Sequence, residues 1–111
     1  MLIAANGAYG LRMTDICRHA GIACTLHEQP NTLQPDAAHI AELLAADPSI
    51  THVSMVHSET TSGILNDIEA VGKVVKAAGK TFIVDAMSSF GGVDIPVVDY
   101  GIDFLISSAN K

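Results

Sequence analysis

Thr81-Phe82-Ile83-Val84 is the clearest indication of the fold in this sequence, because it combines residues that favour strands with apolar side chains on both faces. A strand without polar alternation is typical of a parallel sheet that is covered on both sides. We therefore predict an interior strand at these four residues. Asp85 follows directly and marks the carboxyl end of the strand.

Short apolar runs of the same kind occur four more times along the chain. The additional predicted strands are residues 2–5, 23–26, 52–56 and 104–106. Three stripes of apolar residues at helical spacing lie between the strands, and each predicts an amphipathic helix. The stripes are Met13, Ile16, Cys17 and Ala20; Ala37, Ile40, Ala41 and Leu44; and Ile68, Val71, Val74, Val75 and Ala78.

The ends of two helices also have sequence signals. Gly21 and Gly79 lie where glycines commonly end a helix, and Asn66 with Glu69 resembles a capping box at a helix start. The alternation of strands and helices predicts an α/β fold, a three-layer sandwich with a mostly parallel central sheet. We find no repeat or linker and predict one domain.

The composition is typical of a protein with a well-buried core, since 49% of the 111 residues are hydrophobic and 16% are charged. The net charge of −6 provides no basic surface, so we expect neither nucleic acid nor a membrane as a partner. Cys17 and Cys24 are too few for a disulfide framework, which favours a cytoplasmic protein. Both chain ends lie in or beside apolar segments, and we expect an internal piece of a longer protein.

Polar residues collect just after the predicted strands. They are Asn6 and Gly7, then residues 57–60, then Asp85, and finally Ser108, Asn110 and Lys111. The carboxyl ends of parallel strands lie at one edge of a sheet, and ligands bind outside that edge. We therefore expect these residues to contribute to one site.

Asp85 and Lys111 are the two candidates with the clearest chemistry. Each also has a simple structural interpretation, since Asp85 can cap the following turn and Lys111 can be a solvated end residue. As a pair on neighbouring strands they match what pyridoxal phosphate (PLP) chemistry requires. An amine bonds the cofactor aldehyde, and a carboxylate keeps the pyridine nitrogen protonated.

Other residues near this edge have two open interpretations each. Thr60 is either a loop hydroxyl or a hydrogen-bonding group beside a cofactor ring, and Glu59 is a candidate structural anchor. Tyr9 either stacks on a flat cofactor or packs in a turn. Arg12 either binds a substrate anion or lies at the surface.

The five histidines are predicted to have structural or surface roles, and no metal site is expected. His57 and Glu59 match the His-x-Glu half of a zinc deaminase signature, but the Pro-Cys-x-x-Cys half is absent. Residues 6–10 lack the glycine patterns of dinucleotide-binding and phosphate-binding loops.

Four segments together resemble the class V group of fold type I aminotransferases, which are PLP-dependent. They are residues 6–13 (Asn-Gly-Ala-Tyr-Gly-Leu-Arg-Met), 57–63 (His-Ser-Glu-Thr-Thr-Ser-Gly), 84–92 (Val-Asp-Ala-Met-Ser-Ser-Phe-Gly-Gly) and 102–111 (Ile-Asp-Phe-Leu-Ile-Ser-Ser-Ala-Asn-Lys). Within this group, the last two segments are similar to members that move the amino group of 2-aminoethylphosphonate to pyruvate.

The resemblance implies roles for individual residues. Lys111 matches the catalytic lysine that forms the Schiff base with the cofactor, and Asp85 matches the partner of the pyridine nitrogen. Thr60 and Tyr9 match positions beside the cofactor ring, and Asn110 matches a neighbour of the cofactor phosphate.

The resemblance also implies PLP as the cofactor, a homodimer, and 2-aminoethylphosphonate and pyruvate as substrates. Residues 1–111 would form a partial large domain, because the family's phosphate-binding segment and small domain have no counterpart in them. Ser62 and Asp67 depart from the family pattern, which usually has Thr and Pro there. An alanine–glyoxylate or serine–pyruvate type aminotransferase and a truncated, non-catalytic α/β fragment are the two alternatives.

Overall fold

A five-stranded, all-parallel sheet forms the centre of the computed structural model, which describes residues 1–109. The strands are β1 (Leu2–Ala5), β2 (Thr25–Glu28), β3 (His52–Val56), β4 (Ser58–Glu59), β5 (Ile64–Leu65), β6 (Thr81–Asp85) and β7 (Phe104–Ile106), and the helices are α1 (Ala8–His19), α2 (Ala37–Ala46) and α3 (Ile68–Ala77). The order of the large sheet is β2-β1-β3-β6-β7, while β4 and β5 form a small antiparallel pair. The predicted α/β fold is confirmed.

Helices cover both faces of the large sheet. Leu2 and Ala4 of β1 belong to a core that includes residues of α2 and α3, whereas Ile3 and Ala5 cluster with Cys17 of α1. All four β1 residues are at most 1% exposed, so this wholly apolar strand has no solvated face. None of the three helices in the described part of the chain has the length and apolar composition needed to cross a membrane.

Most strand predictions are confirmed. The bounds are as predicted for β1, β3 and β7, and β6 is an interior strand that extends one residue further, to Asp85. The prediction for residues 23–26 was two residues too early, because Thr25 is the residue that pairs with Leu2 at the start of β1. The short strands β4 and β5 were not predicted.

The apolar stripe predicted for α1 is wrong in part. The buried residues of this helix are Gly10, Thr14 and Cys17, whereas Ile16 is 57% exposed. The helix approaches the sheet closely at Gly10, where an added Cβ would lie 2.7 Å from the Cβ of Ala5. A glycine and a threonine therefore define the buried face, and a search for large apolar residues does not detect them.

The predictions for the helix ends are confirmed at two positions and wrong at a third. Gly21 and Gly79 adopt positive φ angles of 71° and 70° just after α1 and α3. The N-cap of α3 is Asp67, not Asn66, since the Asp67 side chain accepts a hydrogen bond from a backbone N–H in the first turn. Asn66 is buried, and its amide pairs with Asn6 instead.

Replacing Gly10 with alanine is expected to lower the free energy of unfolding by about 1–3 kcal/mol. The new methyl group would lie 2.7 Å from the Cβ and 2.9 Å from the Cα of Ala5, and this crowding outweighs the gain in helix propensity. Urea unfolding followed by circular dichroism measures the change. Gly92→Ala is the matched control, because an added Cβ there meets only the Ser89 carbonyl oxygen at 3.6 Å. Equal stability of the two variants would contradict the close approach.

His27 links β2 to the start of α2. Its buried Nε2 accepts a hydrogen bond from the backbone N–H of Asp36, the N-cap of α2, at 3.3 Å. Burial and the neighbouring His39 ring lower the pKa of His27, while the Asp36 carboxylate acts in the opposite direction. The folded protein therefore binds a proton at His27 less readily than the unfolded chain does.

The free energy of unfolding is expected to fall as the pH decreases below about 6.5, the pKa of a histidine in an unfolded chain. The stabilising difference is present above that pH and is lost as the unfolded chain takes up the proton first. Urea unfolding at a series of pH values measures the trend. His27→Asn should make the trend shallower and leave the contribution of His57, whose pKa burial also lowers, whereas His19→Asn, on the exposed face of α1, should not change the trend. Equal pH dependence in wild type and His27→Asn would contradict the assignment.

Candidate functional site

The carboxyl ends of β1, β3 and β6 lie side by side, because these three strands are neighbours in a parallel sheet. A cavity of about 110 Å³ opens at this edge. Its lining residues are Tyr9, Val56, Ser58, Thr60, Asp85, Met87 and Ser88. The fold thus brings three of the predicted site residues, Tyr9, Thr60 and Asp85, to one cavity.

Asp85 is the last residue of β6 and pairs with Val56 on one side and Ile106 on the other. Its Oδ1 accepts a hydrogen bond from the Met87 backbone N–H at 3.0 Å. No group among residues 1–109 donates a hydrogen bond to Oδ2. Oδ1 therefore caps the turn, as the simpler interpretation proposed. The side chain also lines the cavity, and its Oδ2 accepts no hydrogen bond from these residues.

Glu59 anchors the start of α1 to the segment after β3. Its carboxylate is 0% exposed and accepts hydrogen bonds from the backbone N–H groups of Tyr9 and Gly10 at 3.4 and 3.3 Å. The Thr61 hydroxyl donates to the same carboxylate at 2.9 Å. A carboxylate is favoured at a helix N-terminus because the free N–H groups and the helix dipole both stabilise negative charge.

Gly7 allows this anchor to form. An added Cβ at Gly7 would lie 2.5 Å from the Glu59 carboxyl carbon and 2.7 Å from the Thr61 hydroxyl oxygen. Any side chain here would displace the carboxylate from the helix start. The sequence identified Glu59 as a candidate anchor, but the requirement for glycine at this position becomes visible only when the two segments meet.

Tyr9 and Thr60 face the cavity from two elements that Glu59 joins. Tyr9 is the second residue of α1, and its backbone N–H is held by the Glu59 carboxylate. Thr60 is an exposed residue of the turn directly after β4. The aromatic ring and the hydroxyl therefore reach the cavity from a helix start and a turn that one buried carboxylate ties together.

Arg12 lies one turn along α1 from Tyr9 and does not line the same cavity. It borders an adjoining cavity of about 270 Å³, together with Tyr9 and Asp85. Arg12 is exposed and has no ion-pair partner within residues 1–109. The guanidinium is thus beside the predicted site rather than in its first cavity.

Lys111 and Asn110, the two remaining predicted site residues, lie outside the described residues. The described strand that precedes them, β7, is the parallel neighbour of β6, as predicted. Asp85 pairs with Ile106, and the Ala86 N–H donates to the Ile106 carbonyl oxygen at 2.8 Å. The chain therefore leaves β7 at the same edge at which Asp85 ends β6.

Sequence reasoning missed two buried pairs beneath this edge. Asn6 and Asn66 exchange hydrogen bonds between their side-chain amides, at 2.7 and 3.0 Å. His57 Nδ1 lies 2.9 Å from the Ser89 hydroxyl oxygen, and burial lowers the pKa of His57. The available signal was position alone, because Asn6 and His57 each come directly after an apolar strand.

Metal-ligand chemistry is not assembled in this part of the chain. Within residues 1–109, no three His, Cys, Asp or Glu side chains are grouped so that they could hold a metal ion. The polar side chains that line the cavity are the Asp85 carboxylate and the hydroxyl groups of Tyr9, Ser58, Thr60 and Ser88.

Comparison with known proteins identifies the family. The family model described as aminotransferase class-V matches residues 7–111. The chain belongs to the class-V aminotransferase family. The family resemblance read from the four sequence segments is confirmed, and the residues that line the cavity of about 110 Å³ lie within the matched region.

This class-V aminotransferase chain is 52% identical, over all 111 residues, to the 2-aminoethylphosphonate–pyruvate transaminase of Klebsiella pneumoniae subsp. pneumoniae. It is similar to the crystal structure of pyridoxamine–pyruvate aminotransferase from Mesorhizobium loti, with a TM-score of 0.88 and 35% identity over 96% of this chain and 27% of that one. The alanine–glyoxylate aminotransferase of Nostoc sp. gives a TM-score of 0.87 and 26% identity, over 96% of this chain and 28% of that one. The chain spans 30% of the length of the Klebsiella relative.

Replacing Glu59 with glutamine is expected to lower the free energy of unfolding of this class-V aminotransferase by about 1–3 kcal/mol. Glutamine keeps the shape, but it removes the negative charge from the helix start and turns an NH₂ group toward backbone N–H groups. Urea unfolding measures the loss. Glu69→Gln is the matched control in α3, where the exposed Lys73 pair should contribute less than about 0.5 kcal/mol. Equal effects of the two substitutions would argue against the anchor.

Proposed function

We propose that the complete protein transfers the amino group of 2-aminoethylphosphonate to pyruvate, giving phosphonoacetaldehyde and alanine, with PLP as its cofactor. Residues 1–111 would be part of the cofactor-binding large domain. The observation that carries the proposal is the shared cavity of Tyr9, Thr60 and Asp85 in a class-V aminotransferase chain. Its 52% identity to a 2-aminoethylphosphonate–pyruvate transaminase supports the choice of substrates.

The residues around the cavity fit PLP in their chemistry. Tyr9 offers an aromatic face, Thr60 a hydroxyl, and Asp85 a carboxylate whose Oδ2 receives no hydrogen bond from residues 1–109. When bound, PLP supplies an aldehyde that bonds amines and a pyridine ring that takes up electrons from the substrate carbon. A flat, polar aromatic group needs a stacking surface, a hydrogen-bonding group and an acid for its ring nitrogen.

Asp85 is proposed to hold a proton at the pyridine nitrogen. An ionised carboxylate stabilises a neighbouring positive charge, and the Met87 N–H fixes the carboxylate through Oδ1. Tyr9 is proposed to stack against the ring, and Thr60 to hydrogen-bond at its edge. Asn110, which precedes the lysine in sequence, is proposed to contact the phosphate.

Lys111 is proposed as the catalytic residue. Its amine would hold the cofactor covalently and, once released by the incoming substrate amine, would move the proton at the substrate carbon. This role rests on the match of residues 102–111 to the family motif and on the pairing of β7 with β6. A homodimer and a cytoplasmic location stay predictions.

Arg12 is proposed to attract the anionic end of the substrate. It borders the cavity next to Tyr9 and Asp85 and has no ion-pair partner among the described residues. A guanidinium binds phosphonate and carboxylate oxygens alike, so Arg12 would favour anionic amino donors without choosing between them.

An aminotransferase of the alanine–glyoxylate or serine–pyruvate type is the second candidate. The similarity to the alanine–glyoxylate aminotransferase of Nostoc sp. favours it. Such an enzyme would use Asp85 and Lys111 in the same way, so the amino donor and acceptor, and not the cofactor contacts, separate the two candidates.

The complete protein is expected to form alanine from pyruvate when 2-aminoethylphosphonate is the amino donor, and to do so poorly with serine. Lys111→Ala should abolish the visible absorption band of covalently bound PLP and lower turnover by about 10²- to 10⁴-fold. Lys80→Ala is the control, because Lys80 lies before the amino end of β6 and contacts the Pro48 carbonyl oxygen. Turnover with serine or glyoxylate, and none with the phosphonate, would establish the second candidate instead.

A further inference from the structure

Three hydrogen bonds tie Asp85 and the turn after it to the segment after β3. The His57 N–H donates to the Asp85 carbonyl oxygen at 2.9 Å, and the Ser88 hydroxyl donates to the Ser58 carbonyl oxygen at 2.8 Å. The third joins His57 Nδ1 and the Ser89 hydroxyl at 2.9 Å. This third bond joins two side chains. His57 is only 4% exposed and Ser89 only 3%.

The His57 ring is suited to form this bond. Burial lowers its pKa, so the ring is neutral near neutral pH, with one nitrogen that accepts and one that donates. In one tautomer Nδ1 accepts from the Ser89 hydroxyl, and in the other it donates to the hydroxyl oxygen, so the bond forms in either case. A buried hydroxyl–imidazole bond without solvent competition fixes both partners in one geometry.

Ser89 in turn determines the path of the turn that begins at Asp85. Its backbone N–H donates to the Ala86 carbonyl oxygen at 3.1 Å, and its carbonyl oxygen accepts from Gly92 and Val93 at 3.0 Å each. The Met87 N–H that holds the Asp85 carboxylate lies within the same turn. A displacement of Ser89 would therefore move the N–H group that orients Asp85.

We propose that His57 is a positioning residue: through Ser89 it fixes the turn at residues 86–89 and thereby the orientation of the Asp85 carboxylate toward the cofactor ring nitrogen. This inference rests on the proposed function, because it assigns the ring nitrogen to Asp85. In this proposal the buried His57 imidazole contacts neither substrate nor cofactor. It determines how accurately the Asp85 carboxylate is oriented. Small errors in such geometry weaken an interaction strongly.

The test uses the complete protein loaded with PLP whose ring nitrogen carries an NMR-active isotope. His57→Leu and Ser89→Ala should shift the ring-nitrogen signal toward the unprotonated form and raise the PLP dissociation constant about 5- to 10-fold, as expected for the loss of one buried hydrogen bond. The double variant should be no worse than the more affected single variant, since both break the same bond.

Two further variants separate positioning from general damage. His57→Asn should stay close to wild type, because its side-chain oxygen can accept near the place of Nδ1. His52→Leu, at the amino end of β3 and paired with Thr51, should leave both readouts unchanged. If His57→Leu does not fold, Ser89→Ala, which removes only a hydroxyl oxygen, decides the question.

The inference is wrong if Ser89→Ala and His57→Leu lower the free energy of unfolding but leave the ring-nitrogen signal and PLP affinity at wild-type values. The His57–Ser89 bond would then be purely structural. A different result would overturn the proposed function as well: wild-type protein that does not bind PLP, or an Asp85→Asn variant whose ring-nitrogen signal equals that of wild type. The two failures are therefore distinguishable by the Asp85→Asn reference.

Discussion

In the parallel pairing of β3 with β6, Val56 lies opposite Asp85, and the His57 N–H continues the ladder to the Asp85 carbonyl oxygen. The rest of the site depends on this alignment. Because of this pairing, Asp85, the last residue of β6, lies beside the start of the segment that contains Glu59 and Thr60. With β1 on the other side of β3, the same alignment brings the start of α1 and Tyr9 to the edge.

Five of the buried polar residues, Asn6, His57, Glu59, Asn66 and Ser89, lie at this edge, and their side chains are paired. Glu59 binds the N-terminus of α1, Asn6 pairs with Asn66, and His57 pairs with Ser89. A buried polar group without a partner costs free energy, whereas a satisfied network in a low-dielectric interior is rigid. The residues that line the cavity are therefore held in place by hydrogen-bonded buried pairs.

The shared fold and the residues at the cavity account for different properties of the protein. Two solved aminotransferases named for different substrates share the fold with TM-scores of 0.88 and 0.87, so the sheet and its edge do not determine the substrate. What they supply is a carboxylate, an aromatic ring and a hydroxyl at one cavity. In our proposal, His57 and Ser89 orient the Asp85 carboxylate, and neither the fold nor the family name predicts that role.

Much of the fold and part of the site could be predicted from the sequence. The strands at 2–5 and 52–56 were predicted correctly because nearly all of their residues are buried, and hydropathy records that requirement. The strand at 104–106 was also predicted correctly from its apolar residues, although Phe104 and Ile106 are exposed on this edge strand. Asp85 and Thr60 were expected at one edge because polar residues that follow parallel strands lie at the carboxyl edge, whereas Tyr9 was singled out between the first strand and its helix. The structure places all three at one cavity.

Features that depend on how closely two segments approach each other could not be predicted from the sequence and became visible only in the tertiary structure. The buried face of α1 runs through Gly10 and Thr14 because the helix presses against Ala5. The amide of Asn66 turns away from α3 because Asn6 lies within hydrogen-bonding distance. The sequence determined the interior strands of the sheet, because burial on both faces requires apolar side chains along such a strand. A contact between residues 60 positions apart, such as Asn6 with Asn66, leaves no local mark, because it depends on distances that exist only after the chain has folded.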